Sequence, residues 1–190
     1  MSEKVEGESQ PDKILRAVEW EGGAIVKYAT KEDCPGIVGV DRDGMMQRFE
    51  EHGVPIKEFG KERLEEWEER VAEANNIVLV LKTAGEIAGY IYLKKTPKFP
   101  DDTSYVDTLW VIKKYQGKGL AQNLVECGID EAKGAFNAKK ILSHVVQENK
   151  PAVKFWQKAG FKQIGEPKLR EAKWDGKESS YLTMIKNLEE

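Results

Sequence analysis

The residues best suited to chemistry lie in one short run, Val111-Ile112-Lys113-Lys114-Tyr115-Gln116-Gly117-Lys118-Gly119-Leu120-Ala121. An apolar, β-branched stretch ends there, a glycine-rich turn follows, and an amphipathic stretch begins. Gly117 and Gly119 let the backbone approach a ligand closely, and the amides that open a helix point outward with no intrahelical acceptor. Together they favour a phosphate or pyrophosphate. Lys113, Lys114 and Lys118 add positive charge around the turn. The run is not a P-loop, because Gly-Lys-Ser/Thr is missing. Nor is it a Gly-x-Gly-x-x-Gly dinucleotide turn, because Gln122 stands where the last glycine belongs.

The elements that must hold this turn follow from pattern. Ala24–Tyr28 reads as a strand. Thr30 then starts a helix whose dipole suits Glu32 and Asp33. Pro35 and Gly36 weaken that helix, so Asp41–Phe49 reads as irregular and then helical. Pro55 interrupts again. Lys61–Asn75 is a charged helix with Leu64, Trp67, Val71 and Ala74 as its buried stripe. Ile77–Leu81 and Ile87–Leu93 flank a short glycine-containing turn and form a hairpin. Lys94–Asp102 is a proline-containing loop. Tyr105–Ile112 is a strand with Tyr105, Asp107, Leu109 and Val111 on one face and Val106, Thr108, Trp110 and Ile112 on the other. Gly117–Phe136 is an amphipathic helix, Ile141–Val146 a strand, and Asn149–Ala159 a short helix with Asn at its start and Gly160 as its stop. Phe161–Ile164 and Tyr181–Ile185 are the last strands. The order implies an α/β fold of about six or seven strands, with helices on both faces of the sheet. Residues 1–23 read as a flexible arm with a short ordered piece at Ile14–Trp20, and residues 24–190 as a single domain.

Composition narrows the function. The 190 residues carry 30 basic and 33 acidic side chains, for a net charge of -3. Residues 1–110 hold a net -8 and residues 111–190 a net +5. That balance argues against a nucleic-acid binder, which would show a basic, aromatic-laced surface. No apolar run approaches the roughly 20 residues of a membrane helix, and the polar start MSEKVEGESQ is no secretory signal. Two cysteines, Cys34 and Cys127, and two histidines, His52 and His144, make neither a disulfide framework nor a metal site. A reducing cytoplasm is the expected setting.

Gln116-Gly117-Lys118-Gly119-Leu120-Ala121 resembles Gln/Arg-x-x-Gly-x-Gly/Ala, the acetyl-CoA pyrophosphate motif of the GNAT superfamily of N-acetyltransferases. Asn149-Lys150-Pro151-Ala152-Val153-Lys154-Phe155-Trp156-Gln157-Lys158-Ala159-Gly160-Phe161 resembles that family's second motif, Asn-x-x-Ala-x-x-Phe-Tyr-x-Lys-x-Gly-Phe. One helix and one strand fill the interval, as the family requires. The resemblance runs from about Ala24 to Ile185. It implies a GNAT-like mixed, mostly antiparallel central sheet with a splayed parallel pair at the cofactor site. It also implies acetyl-CoA as co-substrate and no metal. Backbone amides of Gln116, Gly117, Gly119 and Ala121, with Lys118 and Leu120 in the same turn, would bind the pyrophosphate. The backbone of Leu109, Trp110 and Val111 would pair with the pantetheine arm beside Ile141–Val146. Asn149 would contact the cofactor, cap its own helix, or do both.

One departure bears on mechanism. Many family members use the Tyr of the second motif to protonate the leaving thiolate. This chain has Trp156 there, whose indole has no titratable proton, and Ala152, Phe155 and Ala159 share its helical face as a core stripe would. Asp107 is a candidate base, because an Asp buried on a strand needs a partner or a task. Glu148 is a weaker alternative. His144, Tyr105 and Tyr181 are strand positions with titratable side chains. The acceptor side should comprise the first helices and the Lys94–Asp102 loop. That region carries Asp41, Asp43, Glu50, Glu51, Glu58, Asp101 and Asp102, with Met45, Met46 and Phe49 as apolar surface. Such a region would favour a cationic amine. The expected function is acetyl transfer from acetyl-CoA to a primary amine through a ternary complex. The alternative is a non-catalytic acyl-CoA sensor or interaction domain, and a homodimer is compatible with either.

Overall fold

Around Ala84 and Gly85, two consecutive residues have positive φ, 48° and 82°. This is the backbone that a two-residue hairpin turn demands, and its twist matches that of the flanking strands. In the computed structural model, which describes residues 14–18, 23–52, 61–171 and 178–189, that turn joins β3 (Asn76–Thr83) to β4 (Glu86–Lys94). Before them come β1 (Ile14–Val18), β2 (Ala24–Tyr28), α1 (Cys34–His52) and α2 (Lys61–Ala72). After them follow β5 (Thr103–Val111), α3 (Leu120–Phe136), β6 (Lys140–Val146), α4 (Lys150–Lys158), β7 (Lys162–Glu171) and β8 (Glu178–Asn187). The sheet has eight strands in the order β1-β2-β3-β4-β5-β6-β8-β7. Every neighbouring pair is antiparallel except β5 and β6. The strand count exceeds the expected six or seven because the ordered piece at Ile14–Trp20 is itself a strand, paired with β2. Pro55 and Glu58 lie outside the described residues.

Helices cover both faces. Cys34, Ile37 and Val40 of α1 and Trp67 of α2 bury one face with Val78, Val80, Tyr90 and Tyr92. Leu120, Leu124 and Ala132 of α3 and Trp156 of α4, with Ala159 at its C-cap, bury the other with Ile77, Leu79, Leu81 and Ile91. β3 therefore sends alternate side chains into two cores, which explains its unbroken apolar run.

Three expectations need correction. Pro35 and Gly36 do not weaken α1, which runs unbroken through residues 41–49. Pro35 falls in the first turn, where the N–H it lacks would have no partner. The Asp33 carboxylate accepts from the Thr30 amide at 3.0 Å and hydroxyl at 3.2 Å, fixing the entry. The two-face reading of β5 also fails. Tyr92 pairs with Thr108 and Leu93 with Val106, so Asp107 is an extra residue in a β-bulge. Val106, Leu109 and Val111 consequently share the α3 face, and Trp110 the other. α2 stops at Ala72, which leaves Ala74 exposed beyond the helix.

Candidate active site

β5 and β6 form a fork. Their parallel ladder runs only from Thr103–Lys140 to Val106–Ser143, and beyond it the strands part. On its other edge β5 stays paired with β4, where Ile112 donates to Ala88 at 2.9 Å. Hydrogen-bonding direction alternates along an antiparallel pair. Trp110 and Thr108 therefore bond toward β4, while Leu109 and Val111 turn their backbone groups into the fork. The Gln116 side-chain amide takes the Val111 carbonyl at 2.8 Å.

The mouth of the fork is the glycine turn. A single 3-10 turn over Lys113–Tyr115 ends with the Gln116 N–H donating to Lys113 at 3.2 Å. Gly117 and Gly119 follow at φ 75° and 76°, a left-handed backbone that other residues adopt at a cost. Nothing lies within 4 Å of where a Cβ would project at either glycine, so the turn faces open space. Gly119 is the N-cap of α3, and its carbonyl accepts from Gln122 at 3.1 Å. The amides of Leu120 and Ala121 belong to the first turn of that helix and have no intrahelical acceptor. This is a cradle for an anion at the positive end of a helix of 17 residues.

α1 braces this turn, which the sequence did not reveal. The Lys113 amide donates to Asp43 at 3.3 Å and the Gln116 side chain to Gln47 at 3.3 Å. Gly44 lies so close to Trp110 that a Cβ there would fall 2.4 Å from the indole. On the other flank, Glu86 accepts from Lys114 at 2.6 Å and from the Tyr115 hydroxyl at 2.5 Å.

The expected carboxylates are dispersed. Asp107 is exposed on its bulge, not buried, and its carboxylate meets Lys94 at 2.5 Å. Glu148 is exposed in the turn before α4. Asp41 has structural partners: it accepts from the Arg63 Nε at 2.9 Å, from the Trp67 indole at 2.9 Å and from the Tyr90 hydroxyl. Burial and that carboxylate push the Tyr90 phenol well above its ordinary value. Asp102 accepts from Thr103 at 3.0 Å and Lys140 at 3.4 Å. Asp43 braces the turn, and Glu50, Glu51 and Phe49 have no described side chains. Asn149 caps α4, its side-chain oxygen accepting from Ala152 at 3.0 Å.

Trp156 is core: 5% exposed, with the rings of Phe155 and Phe161 at 5.4 and 4.7 Å. Both described cysteines are buried and unpaired, and burial pushes Cys34 up to about 11, so neither offers a thiolate. Among the described residues, no group of His, Cys, Asp or Glu is arranged to hold a metal ion, and no helix is long and apolar enough to cross a membrane.

Comparison with known proteins gives the family and the fold. The model of the acetyltransferase (GNAT) family matches residues 43–161, and the chain belongs to that family. It is 24% identical over 86 residues to a spermine/spermidine N(1)-acetyltransferase of Bacillus subtilis, a match covering 43% of this chain and 57% of that protein. It is 28% identical over 123 residues to an N-alpha-acetyltransferase of Sulfurisphaera tokodaii, covering 60% of this chain and 71% of the relative. In fold it is similar to an N-acetyltransferase from Staphylococcus aureus Mu50, with a TM-score of 0.73, 20% identity, and 86% and 98% of the two chains covered. A Salmonella typhimurium protein solved with its cofactor acetyl-CoA gives a TM-score of 0.68 at 21% identity, covering 88% of this chain and 95% of the other.

Proposed function

We propose that this protein transfers the acetyl group of acetyl-CoA to the nitrogen of a primary, cationic amine, by direct attack within a ternary complex. The observation that carries this reading is the fork ending at the glycine turn. The Leu109 N–H and C=O and the Val111 N–H line one arm of the fork, as strand groups do where a partner is missing. An extended, amide-bearing arm such as pantetheine fits there, Trp110 lying between the two contact positions. Its pyrophosphate would then meet the amides of Gly117, Lys118, Gly119, Leu120 and Ala121. The Gln116 amide already closes the preceding turn, so the contribution of Gln116 is to hold Val111 through its side chain.

The cationic acceptor is supported by a relative named for spermine and spermidine. The asymmetry of net charge between the two parts of the chain points the same way. The alternative, an acyl-CoA sensor, is favoured by Trp156 where the family's acid stands. Thiolate is a good leaving group, however, so a missing acid does not by itself prevent transfer.

Calorimetry with acetyl-CoA, paired with thiol release over polyamines, amino acids and basic peptides, decides between them. Binding with turnover is the expected result; binding without turnover selects the sensor. Gly119→Val should lower acetyl-CoA affinity about 5- to 30-fold, since holding valine at the left-handed φ of 76° that the bound turn needs costs on the order of 1–2 kcal/mol. Unchanged affinity would displace the pyrophosphate from this turn.

A further inference from the structure

Acetyl transfer to an ammonium must dispose of protons, and the family's tyrosine is replaced here by a core tryptophan. At the root of the fork two titratable rings meet. Tyr105 stands on β5 opposite Leu142. His144 is the first β6 residue past the last ladder pair, Val106–Ser143. The Tyr105 hydroxyl and His144 Nδ1 share a hydrogen bond of 3.2 Å. Phe99, from the loop before β5, stacks on Tyr105 at 5.4 Å and meets His144 edge-on at 6.5 Å. Both rings are half-buried, so the pair is sheltered yet within reach of water. Among the described residues, the charged groups near the pair include Lys94, whose ammonium lies 5.7 Å from the Tyr105 ring centre, and its partner Asp107. On β8, uncharged Thr183 lies opposite His144, and Tyr181 one pair further on the same face.

We propose that Tyr105 and His144 are the proton-transfer pair of the reaction, an inference that rests on the acetyltransferase reading above. An imidazole titrates where an amine substrate must be deprotonated, near neutral pH. With the phenol donating to Nδ1, a proton passed by the ammonium through water to the phenol oxygen moves the phenol's own proton onto the imidazole. Tyr105 never ionises, and His144 becomes imidazolium. The amine nitrogen then bonds to the thioester carbonyl carbon and the carbon–sulfur bond breaks. Sulfur leaves with the electron pair and takes the second nitrogen proton. The imidazolium returns its proton to solvent, so the products are the amide, the free thiol and one released proton.

The test measures kcat/KM against pH for the parent, His144→Gln and Tyr105→Phe, with acetyl-CoA affinity by calorimetry for each. The parent should lose activity on the acid side as the imidazole takes up its proton. His144→Gln should fall on the order of 100-fold and lose that acid limb while binding acetyl-CoA as the parent does. Tyr105→Phe, which removes only the hydroxyl, should fall about tenfold or more with affinity unchanged. A His144→Gln profile that matches the parent overturns the proposal. If His144→Gln fails to bind acetyl-CoA, Tyr105→Phe carries the test, and a parent-like Tyr105→Phe overturns it. A parent that binds acetyl-CoA but turns over no amine overturns the acetyltransferase reading and the pair together.

Discussion

Trp156 shows how far one side chain can be read. Its spacing with Ala152, Phe155 and Ala159 marks a buried helical face, and the structure places it in the core. Trp156→Phe should therefore cost about 2 kcal/mol in denaturant unfolding and leave kcat/KM unchanged. A folded variant with collapsed kcat would instead put the indole in the chemistry. Asp33 is the opposite case. In sequence it is an acid at a helix start. In the fold it is 4% exposed and bridges Lys82 of β3 at 2.6 Å and Lys27 of β2 at 3.2 Å. Only strand pairing brings those lysines together, so no local pattern could reveal them. Burial raises the Asp33 carboxyl, but the Lys82, Thr30 and Lys27 hydrogen bonds outweigh it and hold the carboxyl below its usual value. A depressed folded value stabilises the fold above the unfolded value near pH 4, and that contribution disappears as pH falls through the folded one. Asp33→Asn should cost about 3 kcal/mol at neutral pH, because it removes the buried carboxylate that Lys82 and Lys27 share. It should also flatten the acid side of the stability–pH curve, and a variant that keeps the parent's acid slope would refute this account.

Among the elements, local signals were legible and distant braces were not. The strand–turn–helix at Val111–Ala121 is written in adjacent residues, and it folds as read. Pro35 and Gly36 look weakening for α1 out of context, yet in a first turn they disrupt nothing. The bulge at Asp107 left no trace, because an inserted residue changes the alternation without changing residue type. The contact of α1 with the glycine turn depends on Gly44 and Trp110, residues brought together by the packing of helix on sheet. Gly44→Ala should force helix and indole apart and cost about 1–3 kcal/mol, seen as a lower denaturation midpoint at an unchanged m-value. It should also weaken acetyl-CoA binding, since Asp43 and Gln47 on that same helix brace the turn. Unimpaired stability would mean that α1 yields freely there.

For the whole molecule, the split of charge between the two parts of the chain has a structural counterpart. The basic part supplies the glycine turn and α4, while several acids of the other part have cationic or backbone partners of their own. Asp41 serves Arg63, Asp102 serves Lys140 and Asp33 serves two lysines. The fold class was readable because it follows from the order of periods, whereas these partners depend on the third dimension. The fork has one more consequence. β5 is a central strand by topology, yet past Val106 one of its sides is an edge. The Leu109 and Val111 amides should therefore trade their hydrogen for solvent deuterium at edge-strand rates, while those of Thr108 and Trp110, which bond toward β4, stay slow. Acetyl-CoA should erase that odd–even pattern by completing the ladder, and mass spectrometry at single-residue resolution would show it. A pattern that persists with acetyl-CoA bound would mean that the arm lies elsewhere.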